Sequence, residues 1–424
     1  MYLWLTWLTP ASSVAAPGTD AGTADADPQA STPQAAAPAS RAATSPAVAA
    51  TAAKSAPVVP PALFPLGVGW MLSLDAPPVA APAIDDLNVY VPLKTGKIVG
   101  VSLETGAVRW AVDATTAMPV AADAGRVFVT TAGALDALAR GDGATLWRKP
   151  LGDTPLATAP VAKAGWVILG FENGDVRALS GETGETVWQM NVRNAVRVPP
   201  QIDGEVVYVA ASNLLVALTI TDGKPRWEQT LSADISAVGV GSGFVFAGAR
   251  DRSLYALKDT NGREHWRYRI GGEVIGVPVT DHQAVYASML DNTIRAFTLN
   301  NGAQIWREAL PFRPIGGVTV TDTVAVVSPH APSLRGYAAK NGDRAGGFVL
   351  PAKEAAVLAA EPRFVKSTLW VDDGFVMLTR LGELALVRRQ TAQVVTPIAV
   401  WPGFLLPAPT PPPVAPGSAA RLQP

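Results

Sequence analysis

The sequence predicts an all-β fold, an eight-bladed β-propeller of four-stranded antiparallel blades whose ring is closed by the N-terminal strand. Three observations predict it. A Gly-x-x-x-Trp element recurs six times, ending at Trp110, Trp147, Trp188, Trp227, Trp266 and Trp306, at intervals of 37, 41, 39, 39 and 40 residues. With 38 glycines and 12 tryptophans in 424 residues, chance supplies about one such pair, so the regular spacing marks an internal repeat. Each period also holds the parts of a meander of short strands, and none holds an amphipathic stretch long enough for a helix. Finally, Trp70 stands 40 residues before Trp110, ahead of the first complete unit, where it fits the outer strand of the last blade.

The elements follow in a fixed order. A Pro-containing apolar stretch comes first (Pro82, Pro119, Pro160, Pro200, Pro278), then a turn near Gly125, Gly165, Gly204 or Gly243. A β-branched and aromatic strand follows, such as "VYV" at Val89, "VFV" at Val127, "VIL" at Val167 or "FVFA" at Phe244. After a polar turn comes a third strand, "LDALA", "VRALS", "LVALT", "LYALK" or "IRAFT", and then the Gly turn and the Trp strand. Two degenerate units extend the series: Gly342 stands in the seventh turn but Gly346 occupies its Trp position, and the unit beginning "TLWVDDGFVML" has Ala392 in the glycine place and Thr396 in the Trp place. That makes eight units from about Pro78 to Val400. Trp70 supplies the Trp that Thr396 does not, with residues 394–400 pairing beside its strand or displaced by it.

Such sheets expose two apolar faces singly and hide both when stacked radially as blades. The tryptophans Trp70, Trp110, Trp147, Trp188, Trp227, Trp266 and Trp306 are therefore read as structural, each burying on the order of 200 Å², roughly 5 kcal/mol of gross transfer free energy. The glycines serve turns with positive φ.

Composition bounds what the ring can do. Hydrophobic residues make up 48% and charged residues 16%, enough for a large core, and the net charge of −1 offers no basic excess for nucleic acid. With no cysteine, disulfides, thiolate catalysis, cysteine-bound zinc and cysteine lipidation are excluded from this sequence. Residues 1–16 read as the end of an export signal without its basic n-region, and residues 17–62, rich in Ala, Pro, Thr and Ser, read as a disordered tether. The propeller is expected over residues 63–401, with residues 402–424 as a Pro-rich disordered tail.

The unit from Phe244 to Trp266, "FVFAGARDRSLYALKDTNGREHW", resembles the pyrroloquinoline-quinone-type (PQQ-like) propeller repeat, and the resemblance covers about 330 of the 424 residues. That repeat serves quinone-dependent dehydrogenases, sensor domains of kinases and the outer-membrane assembly factor BamB. The compact units and the N-terminal tether are most similar to the BamB branch. The resemblance implies a non-catalytic, periplasm-facing scaffold of the cell envelope, peripherally associated with the outer membrane, monomeric, and docked on the β-barrel insertase as its protein partner. It departs from that branch in lacking a lipobox cysteine and in the loop "LGDTPLATAP", which has no Leu and Arg docking cluster. A quinone-dependent oxidoreductase and a sensory or ligand-binding propeller are the other readings.

The residues favour neither catalysis nor a cofactor, so no catalytic, cofactor or metal residue is assigned. Dehydrogenases with this repeat clamp their quinone against a vicinal disulfide, which this chain cannot form. Glu172, Asn173, Asp251, Asp291 and Asn292 offer oxygens for calcium, but each falls where its repeat needs a turn residue. His265, His282 and His330 lie in different units without ligand spacing, and the "GVGSG" at Gly239 to Gly243 is strand and turn rather than a phosphate loop. Turns between second and third strands share a propeller face with connections from the fourth strand to the next blade. On that face the sequence puts Arg193, Arg197, Arg250, Arg252 and Arg313, with Phe312 as an apolar anchor and His330, Asp251 and Asp291 nearby. Arginine is enriched at interface anchors because its planar fork stacks and binds carboxylates bidentately, so these residues are the candidate docking set.

Overall fold

The computed structural model describes residues 62–321, 323–329, 333–351, 367–371 and 374–390. All of them belong to the compact unit that begins at Val59. The first strand, β1 (Leu66–Ser73), is set aside for the last blade. Blade 1 is β2 (Ala83–Ile84), β3 (Asn88–Pro92), β4 (Lys97–Ser102) and β5 (Val108–Asp113), and blade 2 is β6 (Ala121–Asp123), β7 (Arg126–Thr131), β8 (Ala134–Ala139) and β9 (Thr145–Pro150). Blade 3 is β10 (Val161–Lys163), β11 (Trp166–Gly170), β12 (Asp175–Ser180) and β13 (Thr186–Asn191), and blade 4 is β14 (Gln201–Asp203), β15 (Val206–Ala211), β16 (Leu214–Thr219) and β17 (Pro225–Thr230). Blade 5 is β18 (Ile235–Gly241), β19 (Phe244–Ala249), β20 (Ser253–Lys258) and β21 (Glu264–Arg269), and blade 6 is β22 (Val274–Thr280), β23 (Ala284–Met289), β24 (Thr293–Thr298) and β25 (Gln304–Ala309). Blade 7 is β26 (Pro314–Val320), β27 (Val324–Pro329), β28 (Ser333–Ala338) and β29 (Arg344–Val349). Blade 8 is β30 (Ser367–Val371), β31 (Gly374–Leu378) and β32 (Glu383–Arg389), completed by β1 paired antiparallel to β32, from Leu66 opposite Arg389 to Ser73 opposite Glu383. Eight four-stranded antiparallel sheets thus form the propeller, closed by the N-terminal strand. Residues 394–400, with Thr396 and Ala392, lie outside the described residues.

The sequence pattern explains where the core sits. Second and third strands are buried on both faces, as the run of buried residues from Val207 to Ala211 illustrates, so they read as near-continuous apolar stretches. Their side chains fill eight apolar clusters, each shared by two adjacent blades. Ile168, Val176 and Trp188 of blade 3, for example, meet Val207, Val216 and Leu218 of blade 4. The core is therefore a ring of seams rather than one central mass.

The recurring Trp and Gly belong to these seams in an unexpected way. Each Trp serves the next blade: the indole Nε1 of Trp188 donates to the Ile220 carbonyl at 2.6 Å, and the ring lies on Gly223, where an added Cβ would approach Cδ2 to 2.6 Å. Trp70, Trp110, Trp147, Trp227, Trp266 and Trp306 donate in the same way to Leu103, Arg140, Gly181, Asp259, Leu299 and Ala339, at 2.7 to 3.2 Å. The glycine four residues before each Trp is thus required by its predecessor's indole as well as by its own turn, with φ of 69° at Gly223.

Blade 7 breaks the pattern, and the N-terminus repairs it. Gly346 stands in the Trp position opposite Gly336, and a Cβ on either glycine would collide with the ring of Phe64. The socket left without an indole is filled by an aromatic side chain from another part of the chain, flanked by buried Leu63 and Leu66 at the seam of blades 7 and 8. Sequence reading assigned the position to a missing Trp; the structure fills it with Phe64. The closing segment therefore serves three blades, with Phe64 in blade 7, β1 in blade 8 and Trp70 on Gly106 of blade 1.

The ring is uneven at its axis. Inner strands are two or three residues long in blades 1 to 4 and seven in blades 5 to 7. The connections entering those three blades shrink in step to residues 231–234, 270–273 and 310–313, against 151–160 and 192–200 earlier in the chain.

Candidate functional site

The turns from second to third strand and the connections between blades form one face because backbone hydrogen bonds tie them together. Val192 N–H donates to Gly174 O, Leu231 to Asn213, Arg250 to Asp234, Ile270 to Arg252, Leu290 to Glu273 and Leu310 to Asn292, all at 2.7 to 2.9 Å. The result is a continuous arc of loops over blades 3 to 7, on the face opposite the Trp staples. Short connections with this bonding are preorganised, which lowers the ordering cost of binding.

The arc sorts the expected arginines into two groups. Arg193 and Arg197 hang from the 192–200 connection and are tied to this chain's own carboxylates. Arg193 Nη2 lies 2.7 Å from Glu228 Oε2, and Arg197 binds Glu172 through Nε and Nη2 at 3.4 and 2.8 Å. Both remain largely exposed, at 68% and 73%, so the pairs are worth about 0–1 kcal/mol each. Arg193 sits at the centre of a γ-turn, with φ of 75° and Asn194 N–H donating to Val192 O at 3.0 Å, a strained conformation for a residue with a Cβ. Asn191 holds that turn through its Oδ1, which accepts from Arg193 N–H, while its amide nitrogen donates to Asp175. That bond, ahead of those from Asn173 and Gln189 and the charge of Arg177, keeps the Asp175 carboxyl below the usual carboxylate range.

Arg250, Arg252 and Arg313 are different. All three are exposed, and among the described residues none has an ion-pair partner. Phe312, 48% exposed beside Arg313, is the large apolar side chain of this stretch. The nearby carboxylates look inward. Asp251 accepts from Ser253 N–H and from the Tyr255 hydroxyl, and Asp291 pairs with buried Arg295 and accepts from the Thr293 hydroxyl. His330 lies outside the described residues.

Two arginines escaped sequence reading. Arg267 and Arg269 lie two apart on β21, hence on one face of the strand, and Arg267 stacks on the Tyr255 ring at 5.5 Å while Arg269 pairs opposite Ser253. The signal was present in "EHWRYR", where arginines alternate with the core residues Trp266 and Tyr268.

The oxygens considered for calcium are spent on local structure. Glu172 holds Arg197, Asn173 caps the turn at Asp175, and Asp251 and Asp291 are engaged as described. Among the described residues no three His, Asp or Glu side chains converge as a metal site. His265 stacks on Phe244 with ring centroids 5.1 Å apart, and His282 is an exposed turn residue between β22 and β23.

Comparison with known proteins adds the following. A family model described as outer membrane protein assembly factor BamB matches residues 94–238 and 233–400. The chain is 28% identical over 182 residues to outer membrane protein assembly factor BamB of Nitrosomonas eutropha, covering 39% of this chain and 44% of that protein. It is 27% identical over 246 residues to a tetrathionate hydrolase of Acidithiobacillus ferrooxidans, covering 51% and 48%. The chain thus spans about half the length of the curated relatives it matches. The crystal structure of BamB from Moraxella catarrhalis superposes with a TM-score of 0.63 at 18% identity, covering 77% of this chain and 98% of that one, a likeness of fold.

Proposed function

The chain belongs to the BamB family of outer membrane protein assembly factors, and from that premise we propose that it is a non-catalytic docking scaffold of the bacterial cell envelope, working on its periplasmic side. Its task in this reading is to hold a protein partner, the outer-membrane β-barrel insertase, during assembly of outer-membrane proteins. The single observation that carries the reading is the arc of loops over blades 3 to 7, hydrogen-bonded into one surface and bearing exposed arginines beside an exposed Phe312. A rigid loop face on a self-sufficient ring fits a protein-binding role, because the loops vary without disturbing the seams that hold the blades. Arg193, Arg197, Arg250, Arg252, Phe312 and Arg313 are its proposed contacts.

Affinity capture with the full chain from detergent-solubilised envelopes, read by mass spectrometry, tests this. Recovery of the barrel insertase supports the scaffold; its absence moves the weight to a sensory or ligand-binding propeller. An oxidoreductase reading is left open, and not favoured, by the similarity to an enzyme, the tetrathionate hydrolase. Dye reduction on adding pyrroloquinoline quinone and calcium would favour it.

A further inference from the structure

Blade 5 concentrates positive charge at one end. The turn carrying Arg250 and Arg252 is bonded to Asp234 O through Arg250 N–H and to Ile270 N–H through Arg252 O. Arg269 stands opposite Ser253, next to Arg252, and Arg267 lies over Tyr255 on the same face of β21, reaching Ser232 Oγ across the seam with blade 4 at 3.5 Å. Four arginines therefore occupy one turn and the outer strand paired beside it in blade 5, in a chain whose net charge is −1.

Of the carboxylates near them, Asp251, Asp234 and Glu264, the first two are engaged. Asp251 has its two oxygens occupied by Ser253 N–H and Tyr255 O–H, and Asp234 accepts the Ser212 hydroxyl. Arg250, Arg252 and Arg269 have neither an ion pair nor a side-chain hydrogen bond among the described residues, so their donors are free. Arg193 and Arg197, one blade earlier, already hold glutamates.

A second observation is independent of charge. The residue before the third strand adopts positive φ in many of these blades, and it is Gly96, Gly133, Gly174, Asn292 or Gly382 elsewhere but Arg252 in blade 5, with φ of 62°. Glycine and asparagine tolerate this region better than arginine, so the turn of blade 5 carries a local backbone cost at the residue that bears this guanidinium.

We propose that the Arg250, Arg252, Arg267 and Arg269 cluster at the seam of blades 4 and 5 is the docking site for an acidic polypeptide segment, whose carboxylates take the free guanidinium forks. The proposal rests on the scaffold reading and names the chemistry of its partner and the part of the face it uses. Arginine forks suit carboxylates bidentately, and the short connections hold them ready.

The test uses the full chain and a fluorescent decapeptide of alternating Glu and Leu, with its Gln-Leu counterpart as control, read by anisotropy. The Glu peptide should bind at least about 10-fold more tightly than the Gln peptide, and weaken several-fold between about 50 and 300 mM NaCl. The combined variant Arg250→Gln, Arg252→Gly, Arg269→Gln should lose about 10-fold or more, whereas Arg109→Gln with Arg344→Gln, exposed on the outer strands of other blades, should stay within about 2-fold. Arg252→Gly alone should weaken the peptide yet raise the thermal midpoint by about 1–3 °C, because it relieves the turn. Equal binding of both peptides, full binding by the triple variant, or preference for anionic lipid vesicles over the Glu peptide would overturn the site, as would a lower midpoint for Arg252→Gly. The scaffold reading stands or falls separately, on capture of the insertase by the wild-type chain.

Discussion

Replacing Phe64 by Ala tests the closure of the ring at its least obvious point. Phe64 is the aromatic filling the socket that Gly346 and Gly336 leave empty, and neither glycine has a side chain with which to collapse into the space. A buried Phe→Ala change costs about 3–5 kcal/mol, combining lost transfer energy with the cavity left behind. Phe64 is only partly buried, which lowers the first contribution, while the rigid glycine walls preserve the second, so about 3 kcal/mol is expected. In a ring of this size that corresponds to a fall of about 3–6 °C in the thermal midpoint. The assay is calorimetry with hydrogen exchange, since the loss should appear first as faster exchange in β1 and β32. Phe312→Ala, a change at an exposed Phe, is the control and should stay within about 0.5 kcal/mol. If Phe64→Ala were no more destabilising than Phe312→Ala, the socket would not be closing the ring, and blades 7 and 8 would have to be joined by other contacts.

Further expectations follow from the seams. Trp188→Phe keeps most of the apolar area but leaves the Ile220 carbonyl without its donor, and should cost about 1–3 kcal/mol in urea unfolding. Gly223→Ala drives a Cβ into that same indole at a positive φ, and should destabilise by about 1–3 kcal/mol, whereas Gly133→Ala, with open space around it, should cost only the smaller penalty of its own φ. Burial first, then the charges of Asp259 and Asp203, push the Tyr208 hydroxyl up to about 12. A folded value above the unfolded one of about 10 means that its contribution is complete below pH 10 and lost as pH rises toward 12; Tyr208→Phe should flatten part of that alkaline loss in a stability-against-pH series. Burial also raises Tyr90 and Tyr286, each bonded to an aspartate, so a residual alkaline loss should remain.

The repeat was legible because its physics is local and repeated. Each Trp marks an outer strand, each glycine a turn, and six copies at nearly constant spacing outweigh the ambiguity of any one. Trp70 was legible by the same arithmetic, as a seventh term before the first whole unit, and the structure pairs its strand with β32. Phe64 was not, because the repeat predicts an aromatic at residue 346 and finds glycine. Nothing local says that a residue 282 positions earlier fills the gap. The direction of the staple was hidden for the same reason. In sequence the glycine and the Trp four residues later look like partners, while in space each glycine serves the Trp of the blade before it.

Legibility was lower on the docking face because ionic pairing is a tertiary property. Sequence order puts Arg193 and Arg250 in comparable loops, yet Glu228 from the outer strand of blade 4 reaches the first and, among the described residues, no carboxylate pairs with the second. Arg267 and Arg269 were hidden in a Trp strand read as structural, although the period of two sends every other side chain of such a strand away from the core. The arrangement explains how one fold carries different jobs. Indole staples and seam clusters fix each blade to the next on one face and through the interior, so the loops of the other face are spared that work. A loop set relieved of stability can keep an arginine at a φ that suits glycine, as blade 5 does at Arg252, and still belong to a ring that folds.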